Sequence, residues 1–171
     1  MILEEKVVTE LKKRNLKITT AESCTGGLIA ATLVNVSGAS DVFEEGYITY
    51  ANEAKSKLLG VSKEALEQYG AVSFVVAEQM ALGAARAAGV QAALAATGIA
   101  GPGGGTSEKP VGLVYIGCFL NGMVQVKENR FKGTRTEVRN QTVEAALELL
   151  LHCLSDFYST EECAEKGKNE Q

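Results

Sequence analysis

A run of β-forming residues, Lys17 to Ala21, passes through Glu22-Ser23-Cys24-Thr25-Gly26-Gly27 directly into the apolar segment Leu28 to Val36. Strand, glycine turn and helix in that order make an α/β unit with its loop at the carboxyl end of the strand. Backbone N–H groups at a helix start have no partner within the helix, and the positive end of the helix dipole lies there. Gly26 and Gly27 remove the side-chain bulk that would keep a ligand from those groups. The turn therefore suits an anion site or an activated Ser23. It suits equally well a helix simply capped by Ser23 or Thr25, and taken alone it favours the cap.

The rest of the pattern extends this unit. Residues 2–14 have helical periodicity, with Leu3, Val7, Val8 and Leu11 on one face. Gly46 to Tyr50 reads as a strand. Asn52 is placed to cap a helix over 53–59, and Ser62 another over 63–69. Ser73 precedes an alanine-rich helix that ends at Gly89, with a small-residue surface suited to close packing. Val90 to Thr97 reads as a buried strand. Val111 to Leu120 and Met123 to Phe131 flank Asn121-Gly122, a strong type I′ hairpin signal. Thr134-Arg135-Thr136-Glu137 matches a capping box and opens a helix with Val138, Val143, Leu147, Leu150 and Leu154 at helical spacing. These elements predict an α/β fold: a mixed sheet sandwiched by helices, a three-layer α/β/α arrangement. One domain is expected over 1–158, followed by a polar, disordered tail over 159–171.

Composition excludes several functions. The chain of 171 residues carries a net charge of −4, and its cations are scattered rather than clustered, which argues against nucleic-acid binding. No apolar run approaches membrane-spanning length, and the acidic start is unlike a signal peptide, so a cytoplasmic protein is expected. The four cysteines, Cys24, Cys118, Cys153 and Cys163, share no metal-type spacing, and no metal or cofactor is expected. His152 is the single histidine and reads as a packed helix residue. Histidine-based triads and histidine zinc sites are thereby nearly excluded, and a general base must come from elsewhere.

Two glycine-containing turns follow strands, at Ser23–Gly27 and Gly98–Gly105. Ligands of open α/β sheets bind beyond the carboxyl ends of strands. The second turn lacks the Gly-Lys-Ser/Thr of a P-loop and the G-x-G-x-x-G dinucleotide fingerprint. Its opening, Thr97-Gly98-Ile99-Ala100-Gly101, mixes apolar residues with glycine, unlike a plain linker, and is read as ligand-facing. A third segment, Tyr47 to Lys55, places Lys55 in the first turn of a predicted helix. The dipole there and any burial would both lower its pKa. A lysine so shifted can take a proton from serine. A solvated surface lysine is the plainer alternative.

Taken together, Thr20-Ala-Glu-Ser-Cys-Thr-Gly-Gly27, Gly46-Tyr-Ile-Thr-Tyr-Ala-Asn-Glu-Ala-Lys55, Gly70-Ala-Val-Ser73, Thr97-Gly-Ile-Ala-Gly-Pro102 and Lys109-Pro-Val-Gly112 resemble the CinA C-terminal domain, the competence/damage-inducible family. That family includes stand-alone nicotinamide mononucleotide (NMN) deamidases (PncC-type). The resemblance implies a stand-alone form without the N-terminal domain of larger members. It implies hydrolysis of NMN to nicotinic acid mononucleotide and ammonia, with Ser23 as nucleophile and Tyr50 and Lys55 as its catalytic partners. Oxyanion donors are expected near Thr25, Gly26 and Gly27 or along Gly98–Gly101. The substrate phosphate is expected at the two glycine turns or at Arg135 and Arg139. Family members also resemble homo-oligomers, and the small-residue helix and the Asn121 hairpin offer surfaces for that. A silent nucleotide-binding module, tied to competence or DNA damage, is the alternative.

Overall fold

The computed structural model describes the backbone of residues 1–168 and the side chains of residues 1–159. In chain order the elements are α1 (Leu3–Lys13), β1 (Ile18–Glu22), α2 (Leu28–Val34), β2 (Tyr47–Ile48), α3 (Asn52–Leu59), α4 (Lys63–Tyr69), α5 (Phe74–Ala88), β3 (Ala92–Gly98), β4 (Leu113–Leu120), β5 (Met123–Arg130) and α6 (Arg135–Lys168). Among the described residues the strands form one sheet in the order β2-β1-β3-β4-β5. β1 is parallel to both β2 and β3, whereas β3, β4 and β5 run antiparallel. The sheet is therefore mixed, as the hairpin signal and the strand–turn–helix unit together require.

Side chains alternate across a strand, so each face of the sheet needs its own cover. On one face Leu94, Ile116, Cys118 and Leu120 pack with Val7 and Leu11 of α1, Ile29 and Leu33 of α2, and Leu147 and Leu150 of α6. On the other, Ala21, Ala93 and Ala95 pack with Met80, Ala81 and Ala84 of α5, and with Leu59 and Ala65. The result is the three-layer α/β/α arrangement. No described helix is long and apolar enough to cross a membrane.

Small residues let α5 sit close to its neighbours. A Cβ on Gly83 would lie 1.9 Å from the Leu59 carbonyl oxygen, and one on Gly117 would lie 2.7 Å from that of Ala77. Much of the small-residue surface of α5 is thus used within the subunit. Gly83→Ala is expected to destabilise the chain by about 3 kcal/mol, because the obstacle is backbone rather than a movable side chain. A fall in the urea midpoint at unchanged slope checks this.

Several local expectations are met. Ser62 and Ser73 accept from the N–H groups of Ala65 and Val76, and Thr134 and Glu137 make their reciprocal bonds. Asn121 and Gly122 both have positive φ, as a type I′ turn needs. Others are corrected. β2 is only two residues long, because it meets β1 only at Ala21 and Glu22. Asn52 does not cap α3: the cap is Ala51, and Asn52 is the first helical residue. α2 ends at Val34, not Val36. The backbone of α6 stays helical to Lys168, into the segment expected to be a disordered tail, and residues 169–171 lie outside the described residues. His152 is not packed: it is exposed and lies 3.2 Å from Asp156, one helical turn away.

Candidate active site

The carboxyl end of β1 carries the site. Ser23 N–H donates to the Ala96 carbonyl, which extends the β1–β3 pairing by one residue, and Gly26 N–H donates back to the Ser23 carbonyl. The chain must then turn sharply into α2, and Gly27 does so at φ +101°. The start of α2 is held by Glu22, a residue sequence reasoning passed over. Its fully buried carboxylate accepts from Gly27 and Ile29 at 3.0 Å and from Ala30 at 2.9 Å. Neither Ser23 nor Thr25 caps the helix. A carboxylate on the positive end of a helix dipole suits both charges. Glu22→Gln is expected to cost about 2 kcal/mol, since an amide presents a donor to at least one of these N–H groups; chemical denaturation checks it.

With the cap supplied by Glu22, the Ser23 hydroxyl is available to Lys55. Lys55 Nζ lies 3.1 Å from Ser23 Oγ, 2.7 Å from the Thr49 carbonyl oxygen and 3.3 Å from that of Tyr50. Lys55 is 1% exposed, and none of the described ion pairs includes it. Burial pushes its pKa below the ordinary value of 10.5, with the Cys24 thiol a smaller opposing influence. An ammonium has three N–H donors, and a neutral amine has two donors and a lone pair. As an ammonium Lys55 donates to all three oxygens; as a neutral amine it gives its two donors to the carbonyls, which leaves the lone pair facing Ser23 O–H. That is the arrangement of a general base on a nucleophile.

Cys24 is next in sequence and also buried. Burial pushes its thiol up to about 11, so it stays protonated near neutral pH and is a poor nucleophile.

Two arginines from the first turns of α6 hold the surrounding loops. Arg139 donates to the Cys24 carbonyl at 3.0 Å and to the Thr25 carbonyl at 2.8 Å. Arg135 donates to the Gly101 carbonyl at 2.9 Å and to the Tyr50 hydroxyl at 3.2 Å. The Tyr50 hydroxyl thus meets Arg135, and it is the Tyr50 carbonyl that meets Lys55. The Gly26 and Gly27 N–H groups, expected to face a ligand, are spent on Ser23 and Glu22. Within the turn, the Cys24 and Thr25 N–H groups have no acceptor among the described residues.

A cavity of about 200 Å³ opens over this pair. Ser23, Cys24, Tyr50 and Lys55 line it from one side, and Thr97, Gly98, Ala100 and Arg135 from another. Ala71 and Val72 complete it, and Thr97 is tied to them by its hydroxyl, which donates to the Ala71 carbonyl at 2.8 Å. Thr25, Gly26, Gly27, Ile99, Gly101 and Arg139 do not line it; they shape the loops that do. Ala71 and Val72 went unassigned from sequence, although the Gly70–Ser73 motif marked the segment.

A half-buried serine beside a buried lysine, at the carboxyl end of a parallel strand in a three-layer α/β/α fold, marks the class of this protein. The model of the CinA C-terminal domain matches residues 1–154. The chain belongs to that family. It is 55% identical over 149 residues to a competence-damage inducible protein of Clostridium botulinum (strain Kyoto / Type A2), covering 87% of this chain and 36% of that protein. It is 54% identical over 152 residues to a CinA-like protein of Kosmotoga olearia, covering 89% of this chain and 37% of that protein. The chain therefore spans little more than a third of these curated relatives. Among solved structures, the competence/damage inducible protein CihA of Agrobacterium tumefaciens is 47% identical with a TM-score of 0.86, over 90% of this chain and 93% of that one. A CinA superfamily protein of Klebsiella pneumoniae is 34% identical with a TM-score of 0.87, over 90% and 96%.

Proposed function

We propose that this chain hydrolyses the carboxamide of nicotinamide mononucleotide, releasing ammonia and nicotinic acid mononucleotide. The observation that carries the reading is the buried Lys55 Nζ, 3.1 Å from Ser23 Oγ and without a carboxylate in any described ion pair. Ser23 attacks the amide carbon as Lys55 takes its proton. Lys55 returns that proton to the departing nitrogen, so ammonia leaves and an acyl-serine ester remains. Water, deprotonated by Lys55, then cleaves the ester and restores Ser23. The Cys24 and Thr25 N–H groups are the nearest candidates to hold the negative oxygen of each tetrahedral intermediate. Their carbonyls rest on Arg139, which keeps the turn from yielding as charge develops. Arg135, at the cavity wall, is the cation best placed for the substrate phosphate. It would have to exchange its bonds to Gly101 and Tyr50 for the phosphate oxygens.

Ammonia release from NMN by the purified chain is the direct test. Turnover of NMN in preference to nicotinamide riboside is expected if the phosphate is recognised. Tight NMN binding with no ammonia would replace this reading with that of a silent nucleotide-binding module.

A further inference from the structure

A second cavity, of about 480 Å³, shares no lining residue with the one over Ser23. It lies between the β4–β5 hairpin and the later turns of α6. Leu120, Met123, Val124 and Phe157 make its walls mostly apolar, and both Cys118 and Cys153 open onto it. Cys118 stands directly opposite Gln125 in the β4–β5 pairing, so the two side chains share a face of the sheet. From α6, the Cys153 thiol donates to Gln125 Oε1 at 3.3 Å. That bond brings it onto the same face, where the two thiols interact directly. Cys118 is buried and Cys153 half-buried. The amide hydrolysis proposed above uses neither.

We propose that Cys118 and Cys153 are a redox-active thiol pair, which a hydroperoxide reaching this cavity converts into a disulfide linking β4 to α6. The roles divide by environment. Cys153 is the more accessible, and the neighbouring Cys118 thiol favours its thiolate and lowers its pKa. The neighbouring Cys153 thiol and burial together hold Cys118 well above the usual thiol range. The thiolate is the reactive species. Cys153 sulfur attacks the terminal peroxide oxygen: the S–O bond forms, the O–O bond breaks, and the departing oxygen takes a proton and leaves as alcohol or water. Cys153 is then a sulfenic acid. Cys118 sulfur attacks it, the S–S bond forms, and the sulfenic oxygen leaves as water with the Cys118 proton. Two thiols are oxidised and one hydroperoxide is reduced. The second thiol on the same cavity favours this condensation over further oxidation. Metal binding is the weaker use of the pair, since no group of three ligating side chains exists among the described residues.

The test uses the 171-residue chain, reduced, freed of reductant and exposed to hydrogen peroxide, then alkylated, digested and mapped by mass spectrometry. The expected product is a Cys118–Cys153 cross-linked peptide lacking two hydrogens and cleaved by dithiothreitol, with Cys24 still alkylated after denaturation. In Cys118→Ser, dimedone is expected to trap Cys153 as the sulfenic acid. In Cys153→Ser, Cys118 is expected to stay reduced at the same dose. A bond from Cys153 to Cys163 or to another chain overturns the proposal. So does recovery of both thiols unoxidised at a dose that oxidises a free cysteine peptide.

Discussion

Ser23→Ala is expected to lower ammonia release from NMN by roughly 10⁴-fold or more, with the fold and NMN binding retained. The size follows from the role: without the hydroxyl no acyl intermediate forms, and what remains is whatever water can do in a site built for another nucleophile. The fold is expected to survive because Ser23 Oγ supports nothing but Lys55. The start of α2 rests on Glu22, and the β1–β3 pairing at Ser23 uses backbone only. Cys24→Ala is the control. Its thiol is next in sequence and lines the same cavity, yet with a pKa of about 11 it contributes little thiolate. Turnover by Cys24→Ala is expected within about tenfold of the parent. The reverse outcome, an inactive Cys24→Ala and an active Ser23→Ala, would reassign the nucleophile by one residue.

Lys55→Met is expected to lower turnover by roughly 10²–10⁴-fold, the range of a lost general base. Lys55→Arg is expected to fail as well, because a guanidinium stays protonated and offers Ser23 no lone pair. In the parent chain, activity needs the neutral amine, so the rate should rise with pH along an acid limb. Its midpoint should lie below 10.5, because burial lowers the Lys55 pKa from that value. The same shift has a consequence for stability. The folded chain holds fewer protons than the unfolded chain at pH values between the lowered pKa and 10.5. The cost of burying the ammonium is therefore complete below the lowered pKa and fades as pH rises toward 10.5. Methionine removes this cost but strips the Thr49 and Tyr50 carbonyls of a donor, so a melting temperature at one pH mixes two effects. The slope separates them. From neutral to alkaline pH, the stability of the parent should rise relative to Lys55→Met. Parallel curves would mean that Lys55 is not desolvated, and near-normal turnover by Lys55→Arg would remove it from the mechanism.

The features legible in the sequence are those whose causes lie within a few residues. Ser62, Ser73 and the Thr134–Glu137 pair act on N–H groups three residues away. Asn121-Gly122 sets its own turn, and alternation or helical period marks which faces are apolar. These sufficed for the three-layer mixed sheet, and together with the spaced motifs they sufficed for the family. The positions of Ser23, Tyr50 and Lys55 around one cavity were also anticipated, through those motifs rather than through any local rule.

Tertiary structure decided what each group does there. Glu22 reaches forward to three N–H groups beyond the turn, and only the path of the backbone from β1 into α2 shows that it, not Ser23, holds the helix. Lys55 reads as an ordinary surface cation until α3 packs on α5 and β2 closes against β1, and it is then buried with no ion-pair partner among the described residues. Arg139 lies more than a hundred residues from the Cys24 and Thr25 carbonyls, and Arg135 lies 85 residues from Tyr50, yet α6 brings both to the site. Desolvation, and the competition for hydrogen-bond partners across such distances, depend on the whole packed chain. The spaced motifs therefore marked which residues meet, and packing settled that Lys55 is the one buried beside the Ser23 hydroxyl.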